Sequence, residues 1–218
     1  MKKQELAAMI DHTILKATAT EADVKRLCAE ARENGFASVC VNPVHVALVS
    51  RELAGSKVRT CCVIGFPLGA NASEIKAAEA EFAVSQGAEE LDMVINVGAL
   101  KAGDETRVRK DIAAVVDAAA GRTVKVIIET CYLSDDEKRA ACRAAMEGKA
   151  DFVKTSTGFG SGGAKIEDIK LMRETVGDTM KIKASGGIRS YADALAMVEA
   201  GADRIGASSG IAIIAEAE

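Results

Sequence analysis

Short apolar runs alternate with longer amphipathic ones along the whole chain. Eight of the short runs are rich in β-branched residues and bounded by Gly or polar residues, as buried strands are: Met9–Leu15, Ala37–Asn42, Val58–Gly65, Glu90–Asn96, Thr123–Thr130, Asp151–Thr157, Lys181–Gly187 and Arg204–Ser208. They recur every roughly 20–35 residues, the pitch of a βα unit.

The intervening segments read as helices. Val24, Leu27, Cys28 and Ala31 fall at i, i+3, i+4 and i+7 and share one face. Ile75, Ala78 and Phe82 form a second such face, and Tyr191, Leu195 and Val198 a third. Ser134 followed by Glu137 is a capping box, and Ser73 and Ser190 stand at expected N-caps. Gly35, Gly87, Gly148 and Gly201 each follow a helical pattern, where a glycine can take positive φ and end the helix.

Eight strand–helix alternations favour a closed barrel over an open doubly wound sheet. The turn after the first strand, Lys16-Ala17-Thr18-Ala19-Thr20, has no GxGxxG pattern to cradle a dinucleotide. No stretch is rich enough in Pro, Ser or Gly to be a linker. The expected architecture is therefore α/β, a single (β/α)8 TIM barrel domain over residues 1–218. In such a barrel the chemistry sits at the C-terminal ends of the strands and in the loops that follow.

Composition narrows the function. The chain is 49% apolar and 28% charged, with a net charge of -4 and no basic stripe, so a nucleic-acid partner is not expected. The N-terminal residues lack an apolar core for a signal peptide, and no run is long enough to span a membrane. Six cysteines without a CxxC pair, and two histidines outside zinc-ligand spacing, point to reduced thiols, a cytoplasmic location and no metal.

Against that background, three charged residues inside apolar strands stand out: Asp92, Lys154 and Lys183. A buried charge costs several kcal/mol unless paired, so three of them together point to a site. Two lysines and a carboxylate suit Schiff-base chemistry. One amine is the nucleophile, the second cation helps to activate it, and the carboxylate relays protons. Glycine-bearing loops follow the last three strands, with Thr157 and Gly158, Gly186 and Gly187, and Gly206 with Ser208 and Ser209. Glycine lets backbone N–H groups approach an anion, and barrels often hold phosphate after strands seven and eight. Asp11, Thr13, Cys40 and Asn96 are further candidates to line the site. Lys125 and Glu129, polar and semi-buried on the fifth strand, could also line it, with hydrogen bonding within the barrel as their simpler role.

The segments Asp11-His12-Thr13, Val39-Cys40-Val41-Asn42, Val63 to Gly69, Glu90 to Asn96, Val153 to Phe159, Lys183 to Arg189 and Gly206 to Gly210 resemble, in order, those of the deoxyribose-phosphate aldolase family. The resemblance covers nearly the whole chain. It implies reversible cleavage of 2-deoxy-D-ribose 5-phosphate to glyceraldehyde 3-phosphate and acetaldehyde. It also implies Lys154 as the Schiff-base nucleophile, Lys183 as its neighbouring cation, Asp92 as the proton donor and acceptor, and no cofactor. The expected partners are small sugar phosphates and acetaldehyde, with a homodimer or higher homo-oligomer as the assembly. Two departures stand out: Phe159 occupies the position where some members carry Lys, and the segment Ile211 to Glu218 lacks the terminal Tyr of some members. A Schiff-base aldolase for a larger keto-sugar phosphate, or a metal-free isomerase or sugar-phosphate binder, is the alternative reading.

Overall fold

The computed structural model describes residues 1–217; Glu218, the last residue of the expected domain, lies outside them. The strands are β1 (Ile10–Ile14), β2 (Ser38–Val41), β3 (Arg59–Ile64), β4 (Glu90–Val94), β5 (Thr123–Ile127), β6 (Phe152–Lys154), β7 (Lys181–Ser185) and β8 (Arg204–Ala207). All neighbours pair in parallel, and β8 closes on β1. The helices are α1 (Lys3–Ala7), α2 (Glu21–Asn34), α3 (Val46–Glu52), α4 (Ser73–Ser85), α5 (Val97–Lys101), α6 (Glu105–Ala118), α7 (Asp135–Glu147), α8 (Ile166–Val176), α9 (Tyr191–Glu199) and α10 (Gly210–Ala215). The expected (β/α)8 barrel is what forms. Among the described residues no helix is long and apolar enough to cross a membrane.

Alternation along each strand divides the molecule into two interiors. Val39, Val41, Met93, Val126 and Ile182 belong to the large apolar core that the helices cover. The other parity carries Asp11, Glu90, Asp92, Lys125, Lys154, Lys183 and Arg204. Lys125 on β5 comes within 3.7 Å of Asp11 on β1. Those strands lie across the barrel from one another, so only its interior can hold that contact. The barrel is thus apolar outside and ionic inside.

Local signals act as the sequence indicates at most element ends. Thr20, Ser134 and Ser190 each complete a capping box. Gly35, Gly87 and Gly201 take φ of 68°, 101° and 116°. Two expectations are corrected. Ala72, not Ser73, is the N-cap of α4, because the Ser73 hydroxyl donates to Asp111 at 2.8 Å. Gly148 has φ of -75°, and Lys149 takes the left-handed position instead. A Cβ on Gly148 would stand 2.6 Å from Ile112, so close packing on α6 explains the glycine.

The α4 face is also reversed. Ile75, Ala78 and Phe82 are exposed, and Lys76, Ala80 and Ala83 face inward. Burying Lys76 is tolerable because its Nζ donates to Asp111 at 2.6 Å and to the Val94 carbonyl at 2.9 Å. Similarly, α9 buries Ala194 and Met197, while Tyr191 and Val198 pack only partly against the core.

Candidate active site

A cleft of about 540 Å³ opens at the C-terminal ends of the strands. Its walls include Lys154 at the end of β6, Thr157 and Gly158 after it, Gly186 and Gly187 after β7, and Gly206 and Ser208 around the end of β8. Thr13 to Lys16 and residues of α2, among them Asp23, Arg26 and Glu30, form the opposite side. Among the described residues, Lys154 is the one interior-network lysine on the cleft wall.

Beneath Lys154 lies a network of ion pairs centred on Asp92. The carboxylate Oδ2 accepts from Lys154 at 2.7 Å and from Lys183 at 2.6 Å. Its Oδ1 accepts from Lys125 at 2.8 Å and from the Cys61 thiol at 3.2 Å. Lys183 also pairs with Asp11, which accepts from Arg204 at 2.6 Å and from Ser38 at 2.6 Å. Lys125 and Arg204 share Glu90, at 2.6 and 3.2 Å. Strand register puts these groups at this height: Asp92 is opposite Lys125, and Lys154 is opposite Lys183.

Four cationic side chains therefore meet three carboxylates. Burial alone would raise the Asp92 carboxyl, but the surrounding ammonium groups outweigh it and hold Asp92 well below the ordinary carboxylate range. Asp11 is held low in the same way by Lys183, Lys125 and Arg204 against its own burial. Burial would lower Lys183, but Asp11 and Asp92 outweigh it and keep it above the ordinary lysine value. Asp11, Glu90, Asp92, Lys125, Lys183 and Arg204 balance in charge, and Lys154 is the surplus amine.

The loop after β6 is held from below. Glu129, in a left-handed conformation at φ 54°, accepts the Thr157 N–H at 3.2 Å and also the Thr157 hydroxyl. Both Thr157 donors are therefore engaged away from a ligand. Gly158 and Gly187 have φ of 84° and 82°, and a Cβ on either would point into open space. Gly206 has a different role as well as lining the cleft. A Cβ there would stand 2.9 Å from Ser185 Cβ and 3.0 Å from Lys183 Cε, so this glycine makes room for the lysine stem.

Four of the remaining sequence candidates stand apart from the cleft wall. Asp11 is inside the ion network, and Ser209 is the N-cap position of α10. Asn96 caps α5, its Oδ1 accepting the Ala99 N–H at 2.9 Å. Cys40 is buried beside Cys61 in a small apolar cluster within the barrel. A hydrogen bond from Cys61, with nearby Lys183 and Lys154, lowers Cys40, whereas burial pushes Cys61 well up. Cys40, Cys61 and Asp92 could each offer a metal a ligand atom, all within 4.8 Å of one another, but the lysines beside them disfavour a further cation. Glu90 and Arg204 are the partners that sequence reasoning did not single out, whereas Lys125 makes the contacts within the barrel that its place on the fifth strand suggests. One signal could have found Glu90, since it stands two residues before Asp92 and must point the same way.

A family model for DeoC/LacD family aldolases matches residues 6–216. The chain is 61% identical over 215 residues to deoxyribose-phosphate aldolase of Clostridium tetani, covering 98% of this chain and 100% of that protein. It is 59% identical over 214 residues to deoxyribose-phosphate aldolase of Carboxydothermus hydrogenoformans, with coverage of 96% and 94%. Among solved structures, the tetrameric deoxyribose phosphate aldolase of Aeropyrum pernix superposes with a TM-score of 0.92 at 36% identity, covering 98% of this chain and 91% of that one. With a barrel of matching shape and sequence likeness along nearly its full length, the chain belongs to the DeoC/LacD family and is an aldolase, a carbon–carbon lyase.

Proposed function

We propose that the chain reversibly cleaves 2-deoxy-D-ribose 5-phosphate to glyceraldehyde 3-phosphate and acetaldehyde through a Schiff base on Lys154. The observation that carries this reading is the place of Lys154. It is the surplus amine of the ionic interior and it lines the cleft. Its deprotonation leaves the buried charges balanced, and a neutral amine still donates a hydrogen bond to Asp92. Lys183 and Lys125, fixed by carboxylates below, remain cations.

In this mechanism the Lys154 lone pair attacks C1 of the open-chain aldehyde, and loss of water gives a protonated imine. A base takes the proton of the C3 hydroxyl as the C2–C3 bond breaks. The bonding pair moves into the imine, leaving an enamine on Lys154 and releasing glyceraldehyde 3-phosphate. Protonation at C2 and hydrolysis release acetaldehyde and the free amine. Asp92, kept ionised by its neighbours, accepts and relays protons, directly or through water, and the Lys183 ammonium replenishes them. The imine is the electron sink for the bond cleavage.

Backbone N–H groups around Gly158, Gly186, Gly187 and Gly206, with the Ser208 hydroxyl, receive the phosphate in this reading. Phe159 brings no charge to that loop, so hydrogen bonding carries the contact there. Residues 1–218 act as one catalytic domain. A homo-oligomer fits the apolar stripe of Ile75, Ala78 and Phe82 exposed on α4, and the tetramer of the Aeropyrum pernix relative. Six free thiols suit a reducing, cytoplasmic setting.

A donor comparison tests the substrate. With glyceraldehyde 3-phosphate as acceptor, acetaldehyde should be condensed and dihydroxyacetone phosphate should not. Preference for the ketone donor would instead favour an aldolase of larger keto-sugar phosphates.

A further inference from the structure

The opposite end of the barrel carries a second concavity that the aldolase reaction does not use. It has a volume of about 360 Å³ and lies at the N-terminal ends of the strands. Lys57, Arg59, Arg122 and Arg204 line it, against Glu89 and Glu90 as its only carboxylates among the described residues. The mouth is thus net positive on a chain whose overall charge is -4.

The cations divide into two kinds. Arg59 is paired with Glu89 at 2.8 Å, and Arg204 with Asp11 and Glu90 at 2.6 and 3.2 Å. Lys57 and Arg122 have no ion-pair partner among the described residues, and they converge on the cavity from the loops before β3 and β5. The Arg204 guanidinium is also backed by Phe152, whose buried ring lies 5.5 Å from it and 5.6 Å from Lys181 Nζ. The mouth and the cleft at the other end of the barrel share no lining residue.

We propose that this mouth is a second anion-binding site, for a small, multiply charged oxyanion of the phosphate or polyphosphate kind. Lys57 and Arg122 supply the free cations, and Arg59 and Arg204 the fixed ones. A ligand there would compete with Glu90 for Arg204, and Glu90 also holds Lys125, itself bonded to Asp92. Three ion pairs, Arg204–Glu90, Glu90–Lys125 and Lys125–Asp92, thus join the mouth to the reaction centre.

The test is calorimetric titration of the full chain with inorganic pyrophosphate at low ionic strength. Wild type should bind two equivalents, one in the cleft and one at the mouth. The double substitution Lys57→Ala/Arg122→Ala, at two exposed positions, should lose one of them or weaken it at least tenfold. Ser208→Asp, which sets a carboxylate in the cleft, should lose the other while keeping the one at the mouth. Unchanged binding in the double variant would overturn the proposal, as would absence of binding in folded Ser208→Asp. A failure of the cleft as a phosphate site would read differently, as one equivalent that Ser208→Asp leaves untouched and Lys57→Ala/Arg122→Ala removes.

Discussion

Lys154 and Lys183 stand opposite each other on neighbouring strands and donate to the same oxygen of Asp92, at 2.7 and 2.6 Å. They differ in what else they touch. Lys183 has Asp11 beneath it, and Lys154 has the cleft in front of it. One carboxylate oxygen thus joins a fixed cation to an amine that a substrate can reach.

That difference predicts unequal stability losses from the same substitution at the two positions. Lys183→Met leaves Asp11 and Asp92 short of a cation in a buried site, and should cost about 3–5 kcal/mol of stability. Lys154→Met removes the surplus charge and should leave stability within about 1 kcal/mol of wild type while abolishing turnover. Denaturant midpoints and a coupled cleavage assay measure both.

Asp92→Asn keeps the shape but removes the charge that three lysines share. It should lower kcat by about 10²–10⁴, the usual size of a general acid–base contribution. It should also destabilise the fold, because Lys125 and Lys183 stay buried. An effect confined to KM would assign Asp92 to binding alone.

Gly206→Ala tests the close approach of β8 to Lys183. The added Cβ, 3.0 Å from Lys183 Cε and 2.9 Å from Ser185 Cβ, has only buried neighbours to push. Overpacking of this kind costs about 1–3 kcal/mol. A displaced Lys183 should reduce kcat more than it raises KM, which steady-state kinetics separates.

Glu129→Gln weakens the clamp on the Thr157 loop, since hydrogen bonds to a charged acceptor are about twice as strong as those to a neutral one. Substrate KM should rise several-fold with kcat little changed. Equal losses in both would place Glu129 nearer to the chemistry.

The contribution of the ionic interior to stability should be level through neutral pH and fall at both ends. Asp11 and Asp92 return to about 3.8 when the chain unfolds, so their contribution is whole above that value and is lost as pH falls through their lower folded values. Lys125 and Lys183 are held above 10.5, so theirs is whole below it and is lost as pH rises through their higher folded values. Urea midpoints measured across pH should show an acid limb beginning near pH 4, less steep in Asp92→Asn.

Much of this was legible in the residues themselves. Eight β-branched runs at regular spacing specify the barrel because buried parallel strands need that composition. Asp92, Lys154 and Lys183 stand out because charge inside an apolar strand demands a partner. What stayed hidden depends on groups distant in sequence. The 3.6-residue pattern identified α4 as a helix but pointed Ile75 and Phe82 inward, since nothing near Lys76 announces Asp111, 35 residues away. Gly148 reads as a helix terminator until Ile112 is seen against it. Asn96, at the end of β4, looks placed for a ligand, yet caps the next helix. Glu90 and Arg204 join the site only once barrel closure brings β4 and β8 around one interior.

The most direct measurement is reductive trapping. The protein is incubated with acetaldehyde or 2-deoxyribose 5-phosphate, reduced with borohydride, and mapped by peptide mass. A two-carbon adduct on Lys154, absent from Lys154→Met, is the expected result. An adduct on another lysine, or none in folded protein that still turns over substrate, would contradict Lys154 as the Schiff-base nucleophile.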